Sequence, residues 1–193
     1  LLVFIVALGI AAGFIIPVGK GIKLDAVTSI ILDALLFFIG MQLAYSGKAL
    51  GQAFLRLDTI LVPLGTILGT AAGGLLAASL FRLSPGKGLA LSCGFGWYSL
   101  SGVLIAGMGD ELLGMTAFMA NMIREAIALL AIPVLAFTRT PYTAIGVGGA
   151  TAMDVTLPLI EQSLGVEAVP VSFASGVMLS LLVPVLVPFF YSI

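Results

Sequence analysis

Gly146-Val147-Gly148-Gly149-Ala150-Thr151-Ala152-Met153-Asp154-Val155-Thr156-Leu157-Pro158 decides how this chain is read. It lies among apolar residues, yet it carries Gly146, Gly148 and Gly149, a carboxylic acid and a closing proline. Glycine lets the backbone bend and admits another surface at close range. Proline lacks an N–H and disfavours helix at the residue before it. Backbone polar groups cannot stay bare in lipid, so an interrupted segment is buried in protein or lines a wet cavity. An acid at that depth is costly and points to function. Asp154 is therefore the first candidate for a transport site, with the rest of the chain as its support.

Composition puts that stretch in a membrane. Of 193 residues, 61% are hydrophobic and 9% charged, with mean hydropathy +1.25; a soluble domain carries about 25% charge. The chain reads as an integral membrane protein. Its net charge of −1 gives no case for nucleic acid. No basic, acid-poor leader marks a transit peptide, and the start at Leu1 inside an apolar run suggests a missing upstream segment. One cysteine, Cys93, closes no disulfide within the chain. With no histidine, a zinc or haem site of the usual ligands is not expected. No cofactor is expected, and proton traffic would run on carboxylates.

Against a spanning length of about 20 residues, seven apolar segments can be marked off. They are 1–18, 26–45, 61–81, 89–108, 112–137, the segment holding the opening stretch, and 168–191. Gly65, Gly69, Gly73 and Gly74 fall on a roughly four-residue beat in the third, the small-residue stripe of closely packed membrane helices. The fourth holds Ser92, Gly94, Gly96, Trp97, Tyr98, Ser99, Ser101 and Gly102. The fifth reads as one long helix carrying Asn121, Arg124, Glu125 and Pro133.

Segments four and five resemble six and seven. Gly94, Gly96 and Ser99 match Gly146, Gly148 and Thr151 at an offset of 52; Ile132-Pro133-Val134-Leu135 matches Val183-Pro184-Val185-Leu186 at 51. Each unit is a Gly-interrupted element followed by an apolar helix with a late proline. Paired interrupted segments in corresponding positions point to a transporter site. The division expected is an N-terminal three-helix part, 1–88, then repeat 1 over 89–140 and repeat 2 over 141–193. Two geometries fit. If both interrupted elements cross, there are seven spans, and Lys20, Lys23, Arg82, Lys87 and Arg139 share one side against Lys48 and Arg56, as a positive-inside bias favours. If both are re-entrant hairpins, there are about five full spans, and the two units are inverted.

Asp154 sits just after the break, where a carboxylate and exposed backbone groups can share a cation. In a wet cavity such an acid holds a cation or a proton, not both, which is the elementary step of an antiporter. The plainer reading is a structural acid at a half-helix N-terminus, a role that Thr151 and Thr156 also fit. Glu125 lies midway along the fifth segment with Asn121 one turn before it on the same face. Arg124 points about 100° away from Glu125, so it is no natural partner on one helix; it is left to bind hairpin carbonyls or Asp154. Trp97 and Tyr98 either belong to an interface belt or attract a cation with their π faces. Asp33 is also intramembrane, near the start of its helix, and Cys93 reads as a packing residue.

The strings Gly94-Phe95-Gly96-Trp97-Tyr98-Ser99-Leu100-Ser101-Gly102 and Gly148-Gly149-Ala150-Thr151-Ala152-Met153-Asp154 closely resemble the lysine exporter LysO family. Arg124-Glu125 ahead of Ile132-Pro133, and Leu181-Leu182-Val183-Pro184, fit the same pattern. The resemblance implies export of L-lysine from a prokaryotic cytoplasm, across the inner membrane, by a multi-pass protein. It places the family's two intramembrane acids on Glu125 and Asp154. Members are longer, with further membrane helices upstream, so a split subunit or a truncated version is expected. The family's C-terminus lies outside, which selects the re-entrant geometry. The fold expected is thus all-α, about five full spans and two Gly-rich re-entrant or broken-helix hairpins in an inverted repeat.

The mechanism expected is proton-coupled antiport by alternating access. Lysine's ammonium groups meet Glu125 and Asp154 between the hairpin tips, Trp97 and Tyr98 lie beside them, and Asn121, Ser99, Ser101 and Thr151 supply neutral ligands. Arg124 is tied up structurally or meets the substrate's carboxylate. The coupling ion is H⁺, with Na⁺ as the alternative, since unwound carbonyls with acids suit it too. Two other readings compete: a sodium-coupled exporter of another amino acid, and a non-transporting membrane subunit. An intramembrane hydrolase is poorly supported, because Ser99 or Ser101 has no histidine base. The partners expected are L-lysine, the bilayer, and a second subunit, missing N-terminal segment or second copy.

Overall fold

The computed structural model describes residues 56–193, together with Phe37 and Met41. The chain divides into two compact units, Leu1–Ser46 and Gly47–Ile193. The helices from residue 58 onward all belong to the second unit. The apolar segments at 1–18 and 26–45, with Asp33, lie outside the described residues.

Every regular element among the described residues of the second unit is helical. They are α1 (Asp58–Phe81), α2 (Pro85–Ser92), α3 (Tyr98–Gly107), α4 (Glu111–Leu135), α5 (Thr143–Gly148), a 3₁₀ turn (Gly149–Met153), α6 (Leu157–Leu164), a second short 3₁₀ turn (Val166–Ala168) and α7 (Val169–Tyr191). By length and apolar composition, three can cross a membrane: α1, α4 and α7 with the turn before it. At 1.5 Å per residue they reach about 36–39 Å, enough for a hydrocarbon core of about 30 Å. This is a multi-pass helical membrane protein. The fourth and sixth apolar segments are not continuous helices; each breaks near its middle.

Local chemistry sets the ends. Ser84 caps α2 by accepting from the Lys87 N–H at 3.3 Å, with Pro85 in the first helical position. Asp110 caps α4 by accepting from the Leu113 N–H at 3.1 Å. Lys87 Nζ also reaches Asp110 Oδ2 at 2.7 Å, so the start of α2 and the loop after α3 lie side by side. Lys87 sits over the Tyr191 ring, 5.8 Å from its centroid. A Cβ at Gly86 would come within 2.5 Å of Phe190 O. The C-terminus of α7 therefore shares an end of the molecule with the start of α2. At the start of α1, Arg56 stacks over Tyr142 at 5.8 Å.

Helix α4 shows how one sequence serves lipid and core at once. Leu112, Met115, Met119, Ile123, Ile127, Leu130 and Val134 are exposed, in steps of three and four that trace one stripe. The opposite stripe, Leu113, Gly114, Ala117, Asn121, Ala128 and Ile132, is buried. Arg124 and Glu125 occupy the step between Asn121 and Ala128, one on each flank. Helix α7 is the most enclosed of the three long helices and packs on α1, α2, α3 and the first 3₁₀ turn.

Among the described residues, the glycine stripe of α1 meets a neighbouring helix at Gly74 alone. A Cβ at Gly74 would collide with Ser92 Oγ and reach Gly88 O at 2.8 Å, so α1 and α2 meet backbone to backbone there. At Gly65, Gly69 and Gly73 an added Cβ meets no atom of the described residues. These three line a cavity instead.

Candidate functional site

The two breaks touch. Residues 93–97 separate α2 from α3, and residues 149–156 separate α5 from α6. The Ala150 N–H donates to Phe95 O at 2.8 Å. Phe95 is fully buried and held at φ 49°, a strained value for a side-chain-bearing residue. Gly149 has φ 66°, and a Cβ there would run into Phe95 O and come within 3.0 Å of Arg124 Nη2. Only glycine admits this approach.

Unwinding two helices frees backbone groups that the interior must satisfy. Asn121 does this for the first break. Its Oδ1 accepts from the Gly96 N–H at 2.9 Å, and its Nδ2 donates to Leu91 O at 3.1 Å, Ala117 O at 2.9 Å and Ser101 Oγ at 3.3 Å. Ser172 of α7 serves the second break, donating to Ala152 O at 2.6 Å. Within that break, Thr151 Oγ1 donates to Gly148 O at 2.9 Å and Thr156 Oγ1 to Thr151 O at 3.0 Å. Thr66 of α1 reaches Gly146 O at 3.3 Å, and Arg124 Nη2 reaches the same carbonyl at 3.5 Å.

Glu125 and Asp154 approach from different elements. Their charges interact, and the Tyr98 phenol feels both. Both acids are half-buried. Asp154 does not occupy the N-cap of α6; that position is Thr156. Its Oδ1 accepts from the Val155 N–H at 2.6 Å. Glu125 makes no hydrogen bond or ion pair among the described residues. Two acids held near each other with so few donors form a place where a cation or a proton lowers the repulsion.

The residues singled out by sequence fall into three groups, with Arg124 apart from them. Glu125, Asp154 and Tyr98 come together, and Tyr98 stacks edge-on against Phe118 with centroids 5.2 Å apart. Trp97, at 38% exposure, and Ser99 lie toward the surface at the start of α3. Asn121, Ser101 and Thr151 are buried, and their polar atoms engage one another or the backbone.

Arg124 stands apart from the acids. With Asn121 it lines an open cavity of about 910 Å³ that runs along α1 from Asp58 to Ala77 and is bordered by Leu91 and Ser92, by α4 and by residues between 139 and 147. Neither Glu125 nor Asp154 lines it. This cavity and the acidic pair thus have no lining residue in common, and Arg124 belongs to the cavity.

Across residues 3–191 the chain matches the lysine exporter LysO family. It belongs to that family. It is similar to the lysine exporter LysO of Escherichia coli strain K12, 40% identical over 159 residues that make up 82% of this chain and 53% of that protein. A putative lysine exporter of Haemophilus influenzae is 37% identical over 162 residues, 84% of this chain and 83% of that protein. The chain thus spans about half of the first relative and most of the second. No solved structure matches.

Sequence reasoning passed over Thr66, Ser172 and Ser175. A signal existed for two of them. Ser172 lies 51 positions after Asn121 and Ser175 lies 51 after Arg124, the offset that relates Pro133 to Pro184. Asn121 and Ser172 each brace the break that precedes their own helix. Arg124 Nη1 and Ser175 Oγ are the buried side-chain atoms left without a hydrogen-bond partner among the described residues. Thr66 carries no such mark, since it meets Gly146 only across the fold.

Proposed function

We propose that this chain exports L-lysine across a prokaryotic inner membrane, exchanging it for protons by alternating access. The observation that carries the reading is that Glu125 and Asp154, on different elements, lie near enough for their charges to interact, in a fold where two helix breaks touch. Paired, poorly solvated carboxylates suit an ammonium group, and each proton that binds weakens the hold on it. A proton entering from outside then displaces lysine, and the emptied acids lose their protons inside. Tyr98 borders this acidic side, with Trp97 and Ser99 next to it in sequence toward the surface. Asn121, Ser101 and Thr151 hold the broken backbone in place.

The geometry behind this reading is a pair of re-entrant hairpins, α2–α3 and α5–α6, entering from opposite faces as an inverted repeat over 89–140 and 141–193. The Lys87–Asp110 contact supports it for the first hairpin, since it brings the hairpin's two ends together. For the second, support comes from α7, which ends beside the start of α2 and so begins at the far end, where α4 finishes. With the C-terminus outside, the end of the cavity lined by Asp58, Arg139 and Tyr142 lies toward the cytoplasm, the side from which an exporter loads.

The test is lysine efflux from proteoliposomes loaded with labelled lysine. Asp154→Asn and Glu125→Gln are each expected to cut the rate by about 10²-fold or more, with an unchanged elution profile in detergent. Wild-type rates in both variants would remove the acids from the mechanism. Efflux that needs sodium and ignores a proton gradient would replace the coupling ion.

A further inference from the structure

Exchange on two carboxylates uses one end of an amino acid and leaves one half-buried cation, Arg124, unexplained. Arg124 is near the midpoint of α4, beyond the reach of a lipid headgroup. Among the described residues its only hydrogen bond is the long one from Nη2 to Gly146 O. It takes part in neither the Arg56–Asp58 nor the Lys87–Asp110 ion pair. Nη1 is enclosed and without a partner. A guanidinium at this depth is costly unless paired, and its planar edge fits a carboxylate.

We propose that Arg124 is the receptor for the substrate's α-carboxylate, loaded from the cavity along α1. This rests on the reading that the chain carries an amino acid. The cavity walls support it. They are bare where Gly65, Gly69 and Gly73 face inward, which leaves room for an aliphatic chain. The Arg124 side chain already lines this space, and binding asks that its unpaired edge turn into it. Arg124 and Glu125 are neighbours on opposite flanks of one helix stripe. A substrate that bridges them puts its carboxylate on one flank and an ammonium on the other. The site then selects amino acids over diamines of the same length, which the acids alone do not.

Calorimetric titration of the full chain in nanodiscs tests this with three probes: L-lysine, L-norleucine, which lacks the side-chain ammonium, and 1,5-diaminopentane, which lacks the carboxylate. Wild type is expected to bind norleucine. Arg124→Gln is expected to weaken lysine and norleucine by about 10–100-fold, the loss of one charge-assisted carboxylate contact, and to leave diaminopentane unchanged. Arg124→Lys keeps the cation and is expected to restore part of the norleucine affinity. Failure of wild type to bind norleucine, or equal weakening of all three probes in Arg124→Gln, overturns the proposal. If Arg124→Gln does not fold, the wild-type comparison and Arg124→Lys decide it. Loss of the export reading looks different: no lysine leaves loaded vesicles, while norleucine binding still depends on Arg124.

Discussion

Asn121 shows what one side chain does when a helix is interrupted inside a membrane. It is 2% exposed, and both ends of its amide are used on the first break and the helix beside it. Asn121→Leu keeps the bulk but orphans the Gly96 N–H and leaves Leu91 O short of a donor. At about 1–3 kcal/mol per buried unsatisfied group, a loss of about 2–5 kcal/mol is expected, read as a lower midpoint of thermal unfolding in detergent. Ser99→Ala, at an exposed position, is the control and should stay within about 0.5 kcal/mol. Ser175→Ala is the opposite case. Its hydroxyl is buried with no partner among the described residues, so removal is expected to be neutral or stabilising in the same assay. A clear destabilisation there would mean that the hydroxyl holds something in the membrane.

At the scale of elements, the two breaks depend on a few contacts that glycine and small hydroxyls make possible. Gly149→Ala forces a Cβ into Phe95 O at φ 66°, so the Ala150–Phe95 bond should open. The loss expected is about 1–3 kcal/mol, measured by thermal unfolding. Gly107→Ala should instead be neutral or gain up to about 1 kcal/mol, because the position is helical and an added Cβ meets nothing among the described residues. The ends of α2–α3 are fastened by Lys87 and Asp110. The hydrogen bond from Lys87 holds the Asp110 carboxyl below its ordinary range, and the same bond raises Lys87. The pair therefore contributes fully above the unfolded carboxylate value of about 3.9 and fades as pH falls through the lower folded value. On the alkaline side it lasts beyond about 10.4 and is lost as pH rises through the raised lysine value. Asp110→Asn keeps a capping side chain but loses the charge. Its destabilisation should be visible at neutral pH and shrink below about pH 4. Gly146 to Pro158 announced the second break because glycine, proline and an acid each violate a membrane helix locally. The partner of that break was harder to read. That Phe95 O receives the Ala150 N–H depends on where α4 and α7 place the two turns. The glycines of α1 are read the same way only in part: their spacing fits a packing face, and among the described residues Gly74 meets α2 backbone while Gly65, Gly69 and Gly73 line a cavity.

At the scale of the whole molecule, the proposed exchange turns on which ends share a side of the membrane. Lys87 and Asp110 in contact, and α7 finishing beside Gly86, place residues 84 and 111 at one end and the start of α7 at the other. Had each broken segment crossed the bilayer, Ser84 and Glu111 would lie on opposite faces, and Ser84 would share a face with Arg139. The chain suits a labelling test, since its one cysteine, Cys93, is buried and can be replaced by alanine. Single cysteines at Ser84, Glu111, Arg139 and Glu167, all exposed, are then probed with a membrane-impermeant maleimide in oriented vesicles. The expected pattern is Ser84→Cys and Glu111→Cys labelled from one face, and Arg139→Cys and Glu167→Cys from the other. Labelling of Ser84→Cys and Arg139→Cys from the same face would favour seven spans. The acids and the cavity would then lose the opposed hairpins on which exchange across the membrane depends.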